Sequence, residues 1–203
     1  MPKVEDKKAK EKIIDAAIDL FYFQGFKGTS VRQIAEKANV NLALISYHFG
    51  GKRGLLEQLM VRFYEGYFQS IHREAEREDS ALSAHEDLIQ AVRSAFSYLF
   101  EDYQMTRFIY RELTMDSMLV REVMTLYLSQ EKYYYMSLLE HAIDRTKNQI
   151  TDLEIVVLQL LNMLYMPFLQ PQVIREVYYI EPHGEEFKQR YLTQIENWII
   201  NNL

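Results

Sequence analysis

No proline stands between Pro2 and Pro167 in this chain of 203 residues, so the residue that most reliably interrupts a helix is missing from positions 3–166. With only seven glycines in the whole chain as well, the sequence predicts an all-α fold. Hydrophobic residues make up 48% and charged residues 26%, which suffices for a sizeable core and is too apolar for a disordered polymer. There is no cysteine, so disulfides, thiolate zinc sites, iron–sulfur clusters and a cysteine nucleophile are excluded, and a cytoplasmic location is expected. The opening MPKVEDKKAKEK has no apolar export segment. The longest apolar run, IVVLQLLNMLYMPFL at 155–169, is interrupted by Gln159 and Asn162 and is too short to span a bilayer, so no membrane partner is expected.

Charge divides the chain unevenly. Residues 1–53 hold ten Lys/Arg against six Asp/Glu, whereas residues 54–203 hold thirteen against twenty-three. A small basic head on a larger acidic body suits a polyanion-binding module carried by a second module with another task. The reading therefore places one domain at 1–51 and a regulatory and dimerisation domain at 52–203.

Local punctuation supplies the helices. Ile13, Ala17, Leu20 and Phe21 share one helical face over Lys8 to Gln24, and Gly25 stands where a stop is expected. Ser30 with Gln33 forms a capping box that opens a short helix at 31–38, and Asn39 tolerates the left-handed backbone of the following turn. Asn41 caps a second short helix at 42–49, which Gly50 and Gly51 end. A long amphipathic helix at 52–78 follows, then helical segments at about 81–102, 104–114, 117–147, 151–167, 171–180 and 184–201.

Two short helices across a three-residue turn, with small Ala35 at their crossing and Ile45 packing back, have the spacing of a DNA-binding helix-turn-helix. A generic helical hairpin is the competing reading. The stretch KIIDAAIDLFYFQGFKGTSVRQIAEKANVNLALISYHFGGKRGLLEQLM then resembles the whole N-terminal domain of the TetR family of bacterial regulators. The resemblance implies a homodimer with a three-helix head, a variable helical body and double-stranded DNA as partner. It also implies Thr29 and Lys52 on phosphates, Arg32 near a base edge, and Leu42, Ala43, Leu44, Ser46, Tyr47 and His48 on the exposed side of the reading helix. The chemistry agrees: Thr29 and Lys52 adjoin helix N-termini, which favour anions, Arg32 can pair with guanine, and Leu and Ala suit thymine methyls. Which of Ser46, Tyr47 and His48 meets the DNA backbone stays open at this level. No second ligand stands at metal spacing from His48, so no metal or other cofactor is expected. The lysines Lys3, Lys7, Lys8, Lys10 and Lys12 either reach DNA as an arm or stay solvated.

Further along, QMTRFIYRELTMDSMLVREVMTLYLSQEKYYY and LYMPFLQPQVIREVYYIEP resemble a branch of the same family in spore-forming bacteria that acts on the tubulin-like division protein FtsZ. That resemblance implies regulation of cell division at sporulation. Arg107, Arg111, Glu112, Arg121 and Glu122 crowd one region and read either as a partner surface or as a solvated face with local ion pairs. Of Tyr133, Tyr134 and Tyr135, at most one or two can face a core. The apolar helix at 151–167 and the terminal helix match the family's paired C-terminal helices, with Gln159, Asn162, Ile195, Trp198 and Ile199 expected at the dimer seam. Gln159 and Asn162 would there bond across a two-fold axis or else line a cavity. The alternative to a division regulator is a repressor of the same fold whose small-molecule effector sits in the body. An enzyme is not expected: no G-x-S-x-G elbow or H-E-x-x-H is present, and GGKR lacks the earlier glycine of a phosphate-binding loop.

Overall fold

The computed structural model describes residues 4–75, 83–115, 118–143 and 152–203. These form ten helices and no strand: α1 (Val4–Gly28), α2 (Val31–Ala38), α3 (Leu42–Phe49), α4 (Lys52–Ala75), α5 (Ala84–Glu101), α6 (Tyr103–Leu113), α7 (Met118–Ala142), α8 (Leu153–Leu169), α9 (Pro171–Tyr178) and α10 (Glu185–Asn202). Lys3 and the predicted helical ends at 76–78, 81–82, 117, 144–147 and 151 lie outside the described residues. Among those residues no single helix is long and apolar enough to cross a membrane.

The helices gather in two compact units. One is Met1–Tyr64 with Gln104–Val123, the other Glu65–Tyr103 with Met124–Leu203. The division falls inside α4, thirteen residues beyond the boundary read from the sequence, and it assigns most of α6 to the N-terminal unit.

In the N-terminal unit, Ile13, Ile14, Ala17 and Phe21 of α1 are buried with Ile34, Ala35 and Ala38 of α2, Ile45 and Phe49 of α3, and Leu55 and Leu56 of α4. Their apolar spacing puts each set on one face, and that burial is what holds helices of only eight residues in place. Helix α1 starts at Val4, so Lys7, Lys8, Lys10 and Lys12 sit on helical turns rather than on an extended arm. At Gly25 the backbone leaves helical values, with φ 75° and ψ 165°. Helix α6 lies against this end of α1: the rings of Phe108 and Phe21 stack with centroids 5.0 Å apart.

In the second unit, α5 opens with a capping box in which the Ser83 amide donates to Glu86 at 2.7 Å. Its buried stripe, Leu88, Val92, Ala95, Phe96 and Leu99, packs on α10. Arg93 grips Glu196 of α10 with two hydrogen bonds of 2.6 and 2.9 Å. Ile195 and Ile199 of α10 are 2% and 0% exposed within this single chain. They are core residues of their own protomer, a correction to the seam assigned from sequence: periodicity identified the apolar face of α10, and that face is turned toward α5.

Helix α8 runs past Pro167, where the sequence predicted its end, and stops at Leu169. The Tyr191 hydroxyl donates at 2.8 Å to the carbonyl of Met163, four residues before the proline. Pro171 then opens α9. Of the three successive tyrosines, Tyr135 is fully buried and Tyr133 is 65% exposed, and the hydroxyl of Tyr134 donates to the Ile71 carbonyl at 3.2 Å.

Among the described residues, the interior of this unit holds one carboxyl group. Glu131 of α7 is 1% exposed, accepts a hydrogen bond from the Tyr165 hydroxyl of α8, and has the Tyr67 hydroxyl of α4 as its second donor. Tyr67 is in turn 3.3 Å from the hydroxyl of Tyr135. Burial pushes the Glu131 carboxyl up to about 7, and the two tyrosine hydrogen bonds only partly oppose it.

Candidate nucleic-acid interface

The geometry of the α2–turn–α3 element follows from its caps. The Ser30 hydroxyl accepts from the Gln33 amide at 3.2 Å while the Gln33 side chain accepts from the Ser30 amide at 2.8 Å, which closes the start of α2. Asn39 ends α2 in the left-handed region at φ 52°, and the Val40 amide returns to the Ala35 carbonyl at 3.0 Å. The Asn41 side chain accepts from the Ala43 amide at 2.9 Å and so starts α3. Gly50 ends it at φ 69°, and Gly51 follows at φ 110°. In the first turn of α4, a Cβ placed on Gly54 would lie 1.9 Å from the Phe49 carbonyl oxygen, so only glycine lets the two backbones approach this closely.

These caps turn Ile45 and Phe49 inward and leave Leu42, Ala43, Ser46 and Tyr47 exposed on the opposite side of α3. Tyr47 is 75% exposed and Leu42 46% exposed. Large side chains held that open on a rigid eight-residue helix are available to another molecule. Arg32 is exposed on α2. Leu44 is half-buried.

Three predicted contacts are placed differently. Thr29 is 2% exposed, and its hydroxyl donates to the carbonyls of Gly25 at 2.9 Å and Leu20 at 3.2 Å, so it is turned into the protein rather than toward a phosphate. Lys52 spends two donors on the carbonyls of Phe26 at 2.9 Å and Thr29 at 2.7 Å and lies 4.4 Å from the Phe26 ring centre. Its first task is therefore to tie α4 to the turn after α1. The imidazole of His48 is 10% exposed, with Nε2 3.2 Å from Asp6 of α1. It is held against α1, which leaves Tyr47 as the open aromatic of the pair.

The predicted partner surface also divides. The Arg111 guanidinium donates to the carbonyls of Tyr22, at 3.0 Å, and Phe21. Arg107 lies over the Tyr22 ring at 5.9 Å from its centre, and Glu112 is buried. Arg111 is turned to its own unit, where it supplies donors to the end of α1, and Arg107 lies against the same helix, whereas Arg121 and Glu122 are exposed.

Of the remaining seam residues, Gln159 and Asn162 are exposed on α8 beside Ile155 and Leu158, and Trp198 is half-buried. Asn162, Gln159 and Trp198 line one open depression of about 460 Å³ with Met163, Met166 and Tyr191. Asn162 already donates to the Leu158 carbonyl at 2.7 Å. Among the described residues no group of His, Asp or Glu could hold a metal ion.

The sequence alone missed the roles of Gly54, Asp6 and Arg111. A glycine in the first turn of a helix was the available signal for Gly54. Arg111 has none, since its partners lie 89 and 90 residues away.

Comparison with known proteins gives a consistent likeness. Residues 13–59 match the model of bacterial regulatory proteins of the tetR family. The chain is 45% identical over 190 residues to the probable HTH-type transcriptional regulator YttP of Bacillus subtilis, covering 94% of this chain and 91% of that protein. Among solved structures, the TetR family transcriptional regulator PfmR of Thermus thermophilus superposes with a TM-score of 0.73 at 19% identity, covering 94% of this chain and 98% of that one. The regulator FadR of Bacillus subtilis, solved in complex with stearoyl-CoA, gives 0.71 at 18% identity, covering 96% and 99%.

Proposed function

The chain belongs to the tetR family of bacterial regulatory proteins, DNA-binding transcriptional regulators rather than enzymes, and from that premise we propose that it acts as a homodimer whose two α3 faces read one near-palindromic site. The observation that carries this reading is the outward set Leu42, Ala43, Ser46 and Tyr47 on a helix whose opposite face is locked into a core. Apolar Leu42 and Ala43 suit thymine methyl groups, Tyr47 suits a phosphate, and Arg32 supplies a bidentate donor for guanine. Two such heads fit half-sites one helical turn, roughly 34 Å, apart. The exposed Ile155 and Leu158 of α8 and Ile200 of α10 support a seam between copies.

Selection of binding duplexes from a randomised library, with crosslinking to map sites on the chromosome, tests this reading. The expected result is enrichment of a two-fold motif. With about three or four phosphates contacted per head, its affinity falls with salt at a log–log slope of roughly −5 to −7. No enrichment, or an enriched single half-site bound by one subunit, overturns it.

On the resemblance of its body to regulators that act on FtsZ at sporulation, the reading extends to that division protein as a second partner. Arg121 and Glu122 are the exposed charges of the predicted surface. Reversing both should abolish the effect on division while DNA affinity and dimerisation persist. An unchanged division phenotype removes FtsZ from the reading.

A further inference from the structure

The last turn of any α-helix leaves carbonyl oxygens without donors from the helix itself, and they must be satisfied from elsewhere. In α1 this demand falls at Gly25, where the ladder cannot continue. Three side chains meet it. The Thr29 hydroxyl serves Leu20 and Gly25, Lys52 serves Phe26 and Thr29, and Arg111 serves Phe21 and Tyr22. Thr29 and Lys52 belong to the helix-turn-helix head and the start of α4, but Arg111 arrives from α6, more than eighty residues along the chain.

The guanidinium suits this task better than another cation. Its planar fork spans two successive carbonyls at once, and its charge complements the negative end of the helix. Its place is fixed by packing on the same face of α6: Arg107, one turn earlier, lies over Tyr22, and Phe108 stacks on Phe21. A Cβ on Gly25 would stand in ordinary contact, 3.9 Å from an Arg111 nitrogen, so this glycine serves the turn through its φ of 75° rather than by making room.

We propose that Arg111 is a positioning residue for DNA recognition: by closing the end of α1 it fixes the turn from which α2, and behind it the reading face of α3, take their direction. Small errors of direction in a docked helix cost binding heavily, so a group that touches no DNA controls affinity through the backbone it holds. The proposal rests on the reading of α3 as the DNA-contacting helix.

The test uses the full chain as wild type, Arg111→Met and Arg111→Lys. The probe is the duplex that the wild type enriches from a randomised library, at a temperature where melting curves show all three proteins folded. Arg111→Met should bind at least about tenfold more weakly, the scale of one lost charge-assisted hydrogen bond. Arg111→Lys, which keeps the charge but loses the planar fork that spans two successive carbonyls, should fall between. The salt slope should stay at the wild-type value because no phosphate contact is removed. Hydrogen exchange at the amides of residues 25–30 should accelerate in Arg111→Met while α8 and α10 exchange as before. Wild-type affinity in folded Arg111→Met overturns the proposal. So does a salt slope reduced by about one, which would place Arg111 on a phosphate. If the wild type enriches no duplex, the DNA reading itself fails. The exchange arm then decides separately: unchanged protection at 25–30 in Arg111→Met overturns the role of Arg111 at the end of α1.

Discussion

The Tyr191 hydroxyl, 2.8 Å from the Met163 carbonyl, supplies the hydrogen bond that Pro167 cannot. Proline has no N–H, so the oxygen four residues earlier in α8 loses its intrahelical donor, and a side chain from α10 replaces it. Tyr191→Phe should therefore destabilise the protein by about 1 kcal/mol while its ring stacking on Phe96 and Phe187 persists. In a Pro167→Ala background the new N–H restores the ladder, and the same change should cost much less. Chemical denaturation of the four proteins in the cycle measures the coupling. Equal costs in both backgrounds would remove the proposed link.

Glu131 makes stability depend on pH. Its folded-state carboxyl is raised to about 7 from the usual 4.5, so the folded chain keeps a proton that the unfolded chain releases over that interval. Stability should be greatest below about pH 4.5 as far as this group is concerned, fall as pH rises toward 7, and level off above it. The span amounts to on the order of 3 kcal/mol. Glu131→Gln, which keeps the shape and carries no charge, should flatten the curve. Denaturant titrations between pH 5 and 8 on both proteins check the sign; a wild type that gains stability with pH through a step absent from Glu131→Gln would contradict it.

Two nearby glycines should fail for different reasons. Gly54→Ala forces a methyl group into the Phe49 carbonyl, a backbone atom that cannot swing aside, and should destabilise by about 1–3 kcal/mol and abolish DNA binding. Gly50→Ala meets open space but must hold φ near 69°, at a cost of about 1–2 kcal/mol. Thermal melts rank the pair.

Tyr47 and Lys52 separate contact from scaffold. Tyr47→Ala should leave stability within about 0.5 kcal/mol of wild type, since the side chain packs on little, yet weaken binding to the selected duplex. Lys52→Met should lower the melting temperature as well, because the carbonyls of Phe26 and Thr29 lose their donor. Parallel melting and binding curves distinguish the two patterns.

What the sequence disclosed and what it concealed follow one physical division. Gly25, Ser30 with Gln33, Asn39, Asn41 and Gly50 act on backbone within four residues, so the boundaries of α2 and α3 were readable at the residue level. Periodicity likewise marked an apolar face on α10, but a face carries no label for what covers it, and Ile195 and Ile199 went to the wrong side. Arg111 looks like surface charge until α1 is brought against it. Pro167 looked like a terminator because its remedy, Tyr191, is 24 residues away in sequence and adjacent only after folding.

The grouping of Gln104–Val123 with Met1–Tyr64 bears on attempts to build chimaeras. A reader of this kind is encoded in two separated pieces of gene, so grafting its N-terminal third onto a foreign body would discard the arginine that finishes its first helix. On the role proposed for Arg111, a working hybrid imports α6 as well, or draws an equivalent guanidinium from the new host at the same place.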